Sequence, residues 1–425
     1  MTMTKVRLNS FIICILFSFL PVFAIGWDAP KYAPLPPALD GSMMPYDFKD
    51  CTQTTFLPDS LEPITAIYVA RHGARYLSGP KKTDAVMKQL IKARNEGRLS
   101  DTGEAFLSLM EHIIATNTHN WGDLSQVGIA EEKLLGEHMF RLLPPLHKPG
   151  ARIAAISSHV PRVVMTMYQF CHSLIRANDR VTAATDEGTQ FNPLVCCFIT
   201  DTAYAKYREK GNWRKVYDNF VASHVSAAPA RRLFSSTSLS DSKLRKLTVD
   251  MYEVLKGNRA YGLAAPTTQW MSDNEFHACW QADNLRHYLR NSITPLSDLA
   301  AHATSPLLKQ MINDADNNLA NFNDGRPYNA INGYFGHCET LLPLLSLIGI
   351  PNMPAHIDLT NLDRYWKIQD LTPLAANLTI ILAKAPSGQI YAAMQLNGHT
   401  IRPMRGNPEI LPWQTLKAHW QSKLR

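Results

Sequence analysis

Residues 64–70 (ITAIYVA) are apolar almost without a break, and β-branched or aromatic side chains dominate the run. A strand wetted on one face alternates apolar and polar residues, so a nearly unbroken run predicts a strand covered on both sides. Residues 152–158 (RIAAISS) and 378–385 (LTIILAKA) repeat the pattern. The third run passes through Pro386, Ser387 and Gly388 into 390–396, which predicts a hairpin. Helical spacing of apolar residues occurs over 104–115 and 125–143, with Ser125 placed as an N-cap. Residues 161–177 are largely apolar just behind the second strand. Strand followed by helix, repeated, predicts an α/β class: a three-layer α/β/α sandwich around a mainly parallel central sheet.

The stretch 181–327 differs. It holds helix-like segments over 204–220, 242–256 and 272–288 but no convincing buried strand. It is expected to be a helical insertion domain between a first α/β part, 25–180, and a second, 328–425. A chain of 425 residues accommodates one domain with such an insertion as readily as two or three domains. Residues 25–61 are proline-rich and without periodicity, which predicts an irregular lead-in over the surface.

Residues 1–24 have the layout of a signal peptide: Lys5 and Arg7, an apolar stretch over 11–20, and Val22-Phe23-Ala24 as a cleavage site. The expected product is exported, periplasmic or secreted, with no membrane segment after signal removal. Loss of Lys5 and Arg7 takes the formal charge from +7 to +5. That mild excess suits anionic small molecules and lacks the Lys/Arg density of a nucleic-acid binder. Of seven cysteines, Cys14 lies in the leader, leaving Cys51, Cys171, Cys196, Cys197, Cys279 and Cys338. An oxidising compartment permits disulfides, and the Cys196-Cys197 pair is expected to give one disulfide partner and one buried neighbour. There is no C-x-x-C, H-E-x-x-H, G-x-S-x-G or Walker A pattern, and no metal or cofactor is expected. Neither Cys171 nor Cys279 has an arginine at the C-x5-R spacing of a cysteine phosphatase.

Three polar clusters sit at predicted strand-to-helix junctions, where open α/β sheets gather ligands. Arg71, His72 and Arg75 follow the first strand, Arg162 follows the second, and His337 and Glu339 precede an apolar helix over 340–348. Arginines beside an imidazole disfavour its charged form, so His72 is biased towards neutral with a free ring nitrogen. Such a ring suits a nucleophile facing an anion.

RHGAR (71–75) behind a buried strand, with a late H-x-E at 337–339, resembles the histidine acid phosphatases. Most of that superfamily end the late motif in His-Asp; His337-Cys338-Glu339 is similar to the His-Ala-Glu of the multiple inositol polyphosphate phosphatases, a clade of phytases. FGHCETLLPLLSLIG (335–349) and SSHVPRVVMTMYQF (157–170) resemble that clade along their length, and the resemblance spans about 62–180 and 330–400. It implies the histidine phosphatase fold, with His72 as the nucleophile that forms a phosphohistidine. Arg71, Arg75, Arg162 and His337 would hold the phosphoryl oxygens, and Glu339 would protonate the leaving group and then activate water. The implied substrates are inositol hexakisphosphate (phytate) and lower inositol polyphosphates. Lys81 and Lys82, and Lys206, Arg208, Lys210, Arg214 and Lys215 in the insertion, are the peripheral cations such a polyanion could use. The chain departs from the pattern at Leu77, where proline is common, and at Cys338, where alanine is usual. Acidic pH is expected to favour activity. A monomer or small homo-oligomer is expected. A broad-specificity acid or sugar-phosphate phosphatase, and a phosphate-binding protein without turnover, are the alternatives.

Overall fold

The computed structural model describes residues 37–48, 57–263, 269–351, 353, 357 and 359–424. The leader, 1–24, and Cys51 lie outside the described residues. Among the described residues the strands, in chain order, are β1 (Glu62–Arg71), β2 (Arg152–Ser157), β3 (Thr182–Glu187), β4 (Asn329–Gly336), β5 (Asn377–Lys384), β6 (Ile390–Leu396), β7 (His399–Ile401) and β8 (Ile410–Pro412). They form one sheet of order β3-β2-β4-β1-β5-β6-β7, with β8 paired to β6. β3, β2, β4 and β1 are mutually parallel, while β5 runs against β1 and makes the predicted hairpin with β6.

β1 shows why its sequence has no polar face. Ile67 and Val69 enter one core with Leu341 and Leu345, whereas Ala66, Tyr68 and Ala70 enter another with Leu135, Met139, Met167 and Phe170. The first core lies under the helices Ser305–Asn323, Cys338–Ile348 and Trp413–Gln421. The second lies under Gln126–Leu142 and Pro161–Ala177. This is the three-layer α/β/α arrangement. Ser125 caps the helix Gln126–Leu142 as expected, its side chain accepting from the Gly128 N–H.

A third core unites the helices Lys81–Asn95, Asp101–Asn117, Asp241–Leu255 and Asp273–Asn291 through Val86, Phe106, Met110, Leu244, Met251 and Phe276. The packing therefore cuts across the sequence boundaries at 180 and 327. The first two of these helices join the helical layer, while β3 and Ser305–Asn323, inside 181–327, belong with the sheet. β3 lacks an apolar signal because it is an edge strand, with Thr182, Asp186 and Glu187 exposed. β4 is central yet carries Asn329, Asn332, Gly333 and Gly336. Asn318 makes this tolerable, donating to Asn332 Oδ1 at 2.8 Å and accepting from the Asn329 N–H at 3.1 Å. The segment expected over 204–220 is two helices, Thr202–Lys210 and Trp213–His224, separated at Gly211.

The lead-in is not confined to the surface either. Leu39, Asp40, Met43 and Tyr46 are buried, and the Ser42 carbonyl reaches Arg71. Among the described residues no helix is long and apolar enough to cross a membrane.

Candidate active site

The parallel strands end together at one edge of the sheet: Arg71 pairs with Gly336, and Ser157 with Phe335. His72, Ser158 and His337 therefore emerge side by side in the crevice beyond the strand carboxyl ends. The loop after β1 has little freedom. The His72 N–H donates to the Gly336 carbonyl at 3.1 Å, and the His72 carbonyl accepts from the Ala375 N–H at 3.0 Å. The Gly73 N–H donates to Thr166 Oγ1 at 3.1 Å, and the Ala74 N–H to Glu131 Oε2 at 2.6 Å. Gly128 lets the helix Gln126–Leu142 approach this closely, since a Cβ there would lie 2.2 Å from the Ala74 carbonyl oxygen.

His72 is buried, and its Nδ1 lies 2.9 Å from the Gly73 carbonyl oxygen. A carbonyl only accepts, so Nδ1 carries the proton and Nε2 keeps its lone pair. Burial, then Arg162, Arg71, Arg75 and His337, lower the His72 pKa well below the usual histidine range. The shift runs in the direction the sequence predicts, with burial as the first cause and the distant Arg162 as the leading charge rather than the sequence neighbours.

The three arginines converge, and among the described residues none of them has a carboxylate ion-pair partner. Arg71 Nη1 donates to the carbonyls of Ser42 (2.8 Å) and Thr372 (2.6 Å), Arg75 Nη1 to that of Tyr76 (2.8 Å), and Arg162 Nη1 to that of Gly122 (3.4 Å). Each keeps a buried Nε–H with no partner among the described residues. Burial, Arg162 and Arg71 together bring the Arg75 pKa down to about 9. Crowded guanidiniums with unspent donors form a site for a multiply charged oxyanion. His337 adds a ring whose centroid is 5.6 Å from that of His72, edge-on, with Nε2 3.2 Å from Ser158 Oγ. Burial and then Arg162 bring its pKa to about 3.

Glu339 stands in the first turn of Cys338–Ile348, and its Oε1 is 2.7 Å from Nη2 of Arg208. Burial pushes this carboxyl up, but Arg208, His337 and Arg290 outweigh it and hold the group well below the usual carboxylate range. Arg208 comes from Thr202–Lys210, with its guanidinium 4.7 Å over the Phe198 ring. Its tie to Glu339 has no sequence signal: Arg208 is one cation in a run of five. The arrangement joins a neutral histidine, an oxyanion cradle and a carboxyl group, which are the parts phosphoryl transfer uses.

Of the peripheral cations, Lys82 pairs with Asp250 at 2.6 Å, and Arg214 donates to the Glu209 carbonyl and lies over the Trp213 ring. Lys81 and Lys206 are exposed. A cavity of about 560 Å³ lined by Tyr46, Arg364, Lys367, Asn397 and His399 lies at the same end of the sheet but contains none of the groups around His72. The cysteine expectation is not met among the described residues: Cys171, Cys196, Cys197, Cys279 and Cys338 are all buried free thiols. Burial pushes Cys196 and Cys197 up to about 12, so both stay protonated packing groups. Among the described residues no cluster of His, Cys, Asp or Glu could hold a metal ion.

Residues 64–391 match the Histidine phosphatase superfamily (branch 2). The fold is similar to the apo multiple inositol polyphosphate phosphatase of Bifidobacterium longum, with TM-score 0.74 at 15% identity over 89% of this chain and 97% of that one. The same enzyme in complex with inositol hexasulfate matches with TM-score 0.71 at 15% identity over 90% and 97%. The phytase from D. castellii matches with TM-score 0.70 at 16% identity over 94% of this chain and 88% of that one. No curated protein matches the chain by sequence.

Proposed function

Because the chain belongs to the histidine phosphatase superfamily (branch 2), we propose that it hydrolyses phosphomonoesters of inositol polyphosphates, phytate among them, and acts outside the cytoplasm. The observation that carries the reading is the His72 ring: buried, protonated at Nδ1 by its bond to Gly73, and ringed by Arg71, Arg75, Arg162 and His337.

In the first step the Nε2 lone pair of His72 attacks phosphorus and the P–O bond to the inositol breaks. The leaving oxygen takes a proton from Glu339. In the second, water attacks the phosphohistidine, the P–N bond breaks, and the water proton passes to the Glu339 carboxylate. The three guanidiniums and His337 stabilise the equatorial oxygens in both steps. Similarity of fold to a protein whose structure holds inositol hexasulfate supports the substrate class, as does the H-x-E motif. Incubation with phytate and ion-exchange separation of products tests the proposal. Stepwise lower inositol phosphates with released phosphate are expected; turnover of simple phosphate esters with phytate left intact would overturn the substrate class.

A further inference from the structure

Glu339 has two opposed duties if the mechanism above holds: it must carry a proton when the inositol oxygen departs and be ionised when water attacks. The group that decides between these states comes from outside the sheet. Arg208 lies on Thr202–Lys210, a helix whose N-terminus is capped by the Asp201 side chain. Its guanidinium is fixed from several sides: Nη2 meets Glu339 Oε1 at 2.7 Å, and the rings of Phe198 and Tyr204 lie 4.7 and 5.8 Å away. Both partners are partly shielded, with side-chain exposures of 18% and 23%, so solvent screens the pair only in part.

The other charged and titratable groups facing Glu339 come from every neighbouring element. His337 precedes it, Arg290 and His287 lie on Asp273–Asn291, and Arg162 and Arg75 belong to the phosphate cradle. The Cys196, Cys197 and Cys338 thiols and the Tyr204 hydroxyl also feel its charge. Among these, Arg208 makes the direct ion pair, and it is not needed to explain the cradle around His72.

The geometry points to Arg208 as a positioning residue that sets the protonation state of the catalytic carboxyl, so that the helix Thr202–Lys210, inserted between β3 and β4, tunes the pH range of chemistry done at the sheet edge. The inference rests on Glu339 being the acid of the proposed reaction. Removing the guanidinium makes the carboxyl easier to protonate. The acid form then persists to higher pH, which moves the alkaline limb of activity upward. The base form also appears only at higher pH, which moves the acid limb the same way. Substrate gripping alone would raise KM and leave both limbs in place.

The test compares pH profiles of kcat and kcat/KM on phytate for the full chain and Arg208→Gln, with Arg208→Lys as the charge-conserving rescue. Both limbs are expected to move to higher pH by about one unit in R208Q, and by less in R208K. Inhibition by inorganic phosphate reports whether the cradle is intact. If R208Q fails that check, Arg208→Met, with an apolar chain against Phe198 and Tyr204, carries the same comparison. Unmoved limbs in a phosphate-binding variant would overturn the inference. Glu339→Gln, assayed on phytate and on p-nitrophenyl phosphate, tests the underlying reading separately. A loss in kcat/KM, which reports the first step alone, that is much larger for phytate, whose leaving group needs the proton, supports Glu339 as the acid, and equal losses in kcat/KM would remove it from that role whatever Arg208 does.

Discussion

His72 and Glu339, the proposed nucleophile and the proposed acid, are held in contrasting ways. His72 sits in a loop whose successive backbone groups are tied to Gly336, Ala375, Thr166, Glu131 and Ser125, partners drawn from the sheet and the helices packed on it. Glu339 is held at its carboxylate by an ion pair to a helix of another part of the chain. A nucleophile needs fixed direction, because in-line attack tolerates little angular error. An acid that must also serve as a base needs an adjustable charge state, and one neighbouring cation supplies that better than a rigid web.

The largest expected effect breaks the comparison on the nucleophile side. His72→Ala should lower phytate turnover by about three orders of magnitude or more, while inorganic phosphate still binds the arginines, as read by calorimetry. Retained turnover would mean that the loop does not deliver the nucleophile.

Glu131→Ala removes the carboxylate that accepts from both the Ala74 N–H at 2.6 Å and the Tyr46 N–H at 2.8 Å. About 10- to 100-fold in kcat and about 1–3 kcal/mol of stability should be lost, seen in steady-state assays and urea midpoints. A loss of stability with unchanged kcat would show that the tether supports the fold without aiming His72.

Next to it, Glu132 is buried with neither carboxylate oxygen partnered among the described residues, and burial followed by Glu131 raises its pKa well above the usual range. Folded protein thus keeps a proton that the unfolded chain releases, so stability falls as pH rises from the ordinary carboxylate range towards the folded pKa. Glu132→Gln should therefore gain in melting temperature over the parent between about pH 5 and about pH 8. A gap that does not widen would contradict a buried neutral carboxyl.

Cys338→Ala sharpens the comparison from the acid side and should change least. The thiol is buried 3.3 Å from Thr372 Oγ1, and burial, with the nearby Glu339 charge adding to it, holds its pKa at about 11, so it is not a reactive thiolate. Activity within about twofold of the parent is expected, a ratio of about 0.4 kcal/mol in barrier. A much larger loss would place the thiol in the mechanism.

Sequence was most informative where a residue type is forced by chemistry or by double burial. The runs that became β1, β2 and β5 were visible because both faces of each are covered. RHGAR and H-x-E were visible because few functions need those residues behind a strand. β4 was hidden, since Asn332 and Gly333 oppose a strand assignment until Asn318 satisfies them. The helical layer was only partly visible, because Lys81–Asn95 and Asp101–Asn117 look like ordinary crossover helices until their partners across the chain are known.

What the sequence determined by itself was therefore the covered sheet, the superfamily and the identity of the groups at its edge, since these depend on local composition and on side chains without substitutes. Tertiary structure alone decided which nitrogen of His72 stays free, that burial keeps its ring neutral, that the thiols stand unpaired among the described residues, and that Arg208 meets Glu339. Each of those is set by distance and solvent exclusion between segments far apart in the chain, and electrostatic energy depends on that separation and on the medium between the charges.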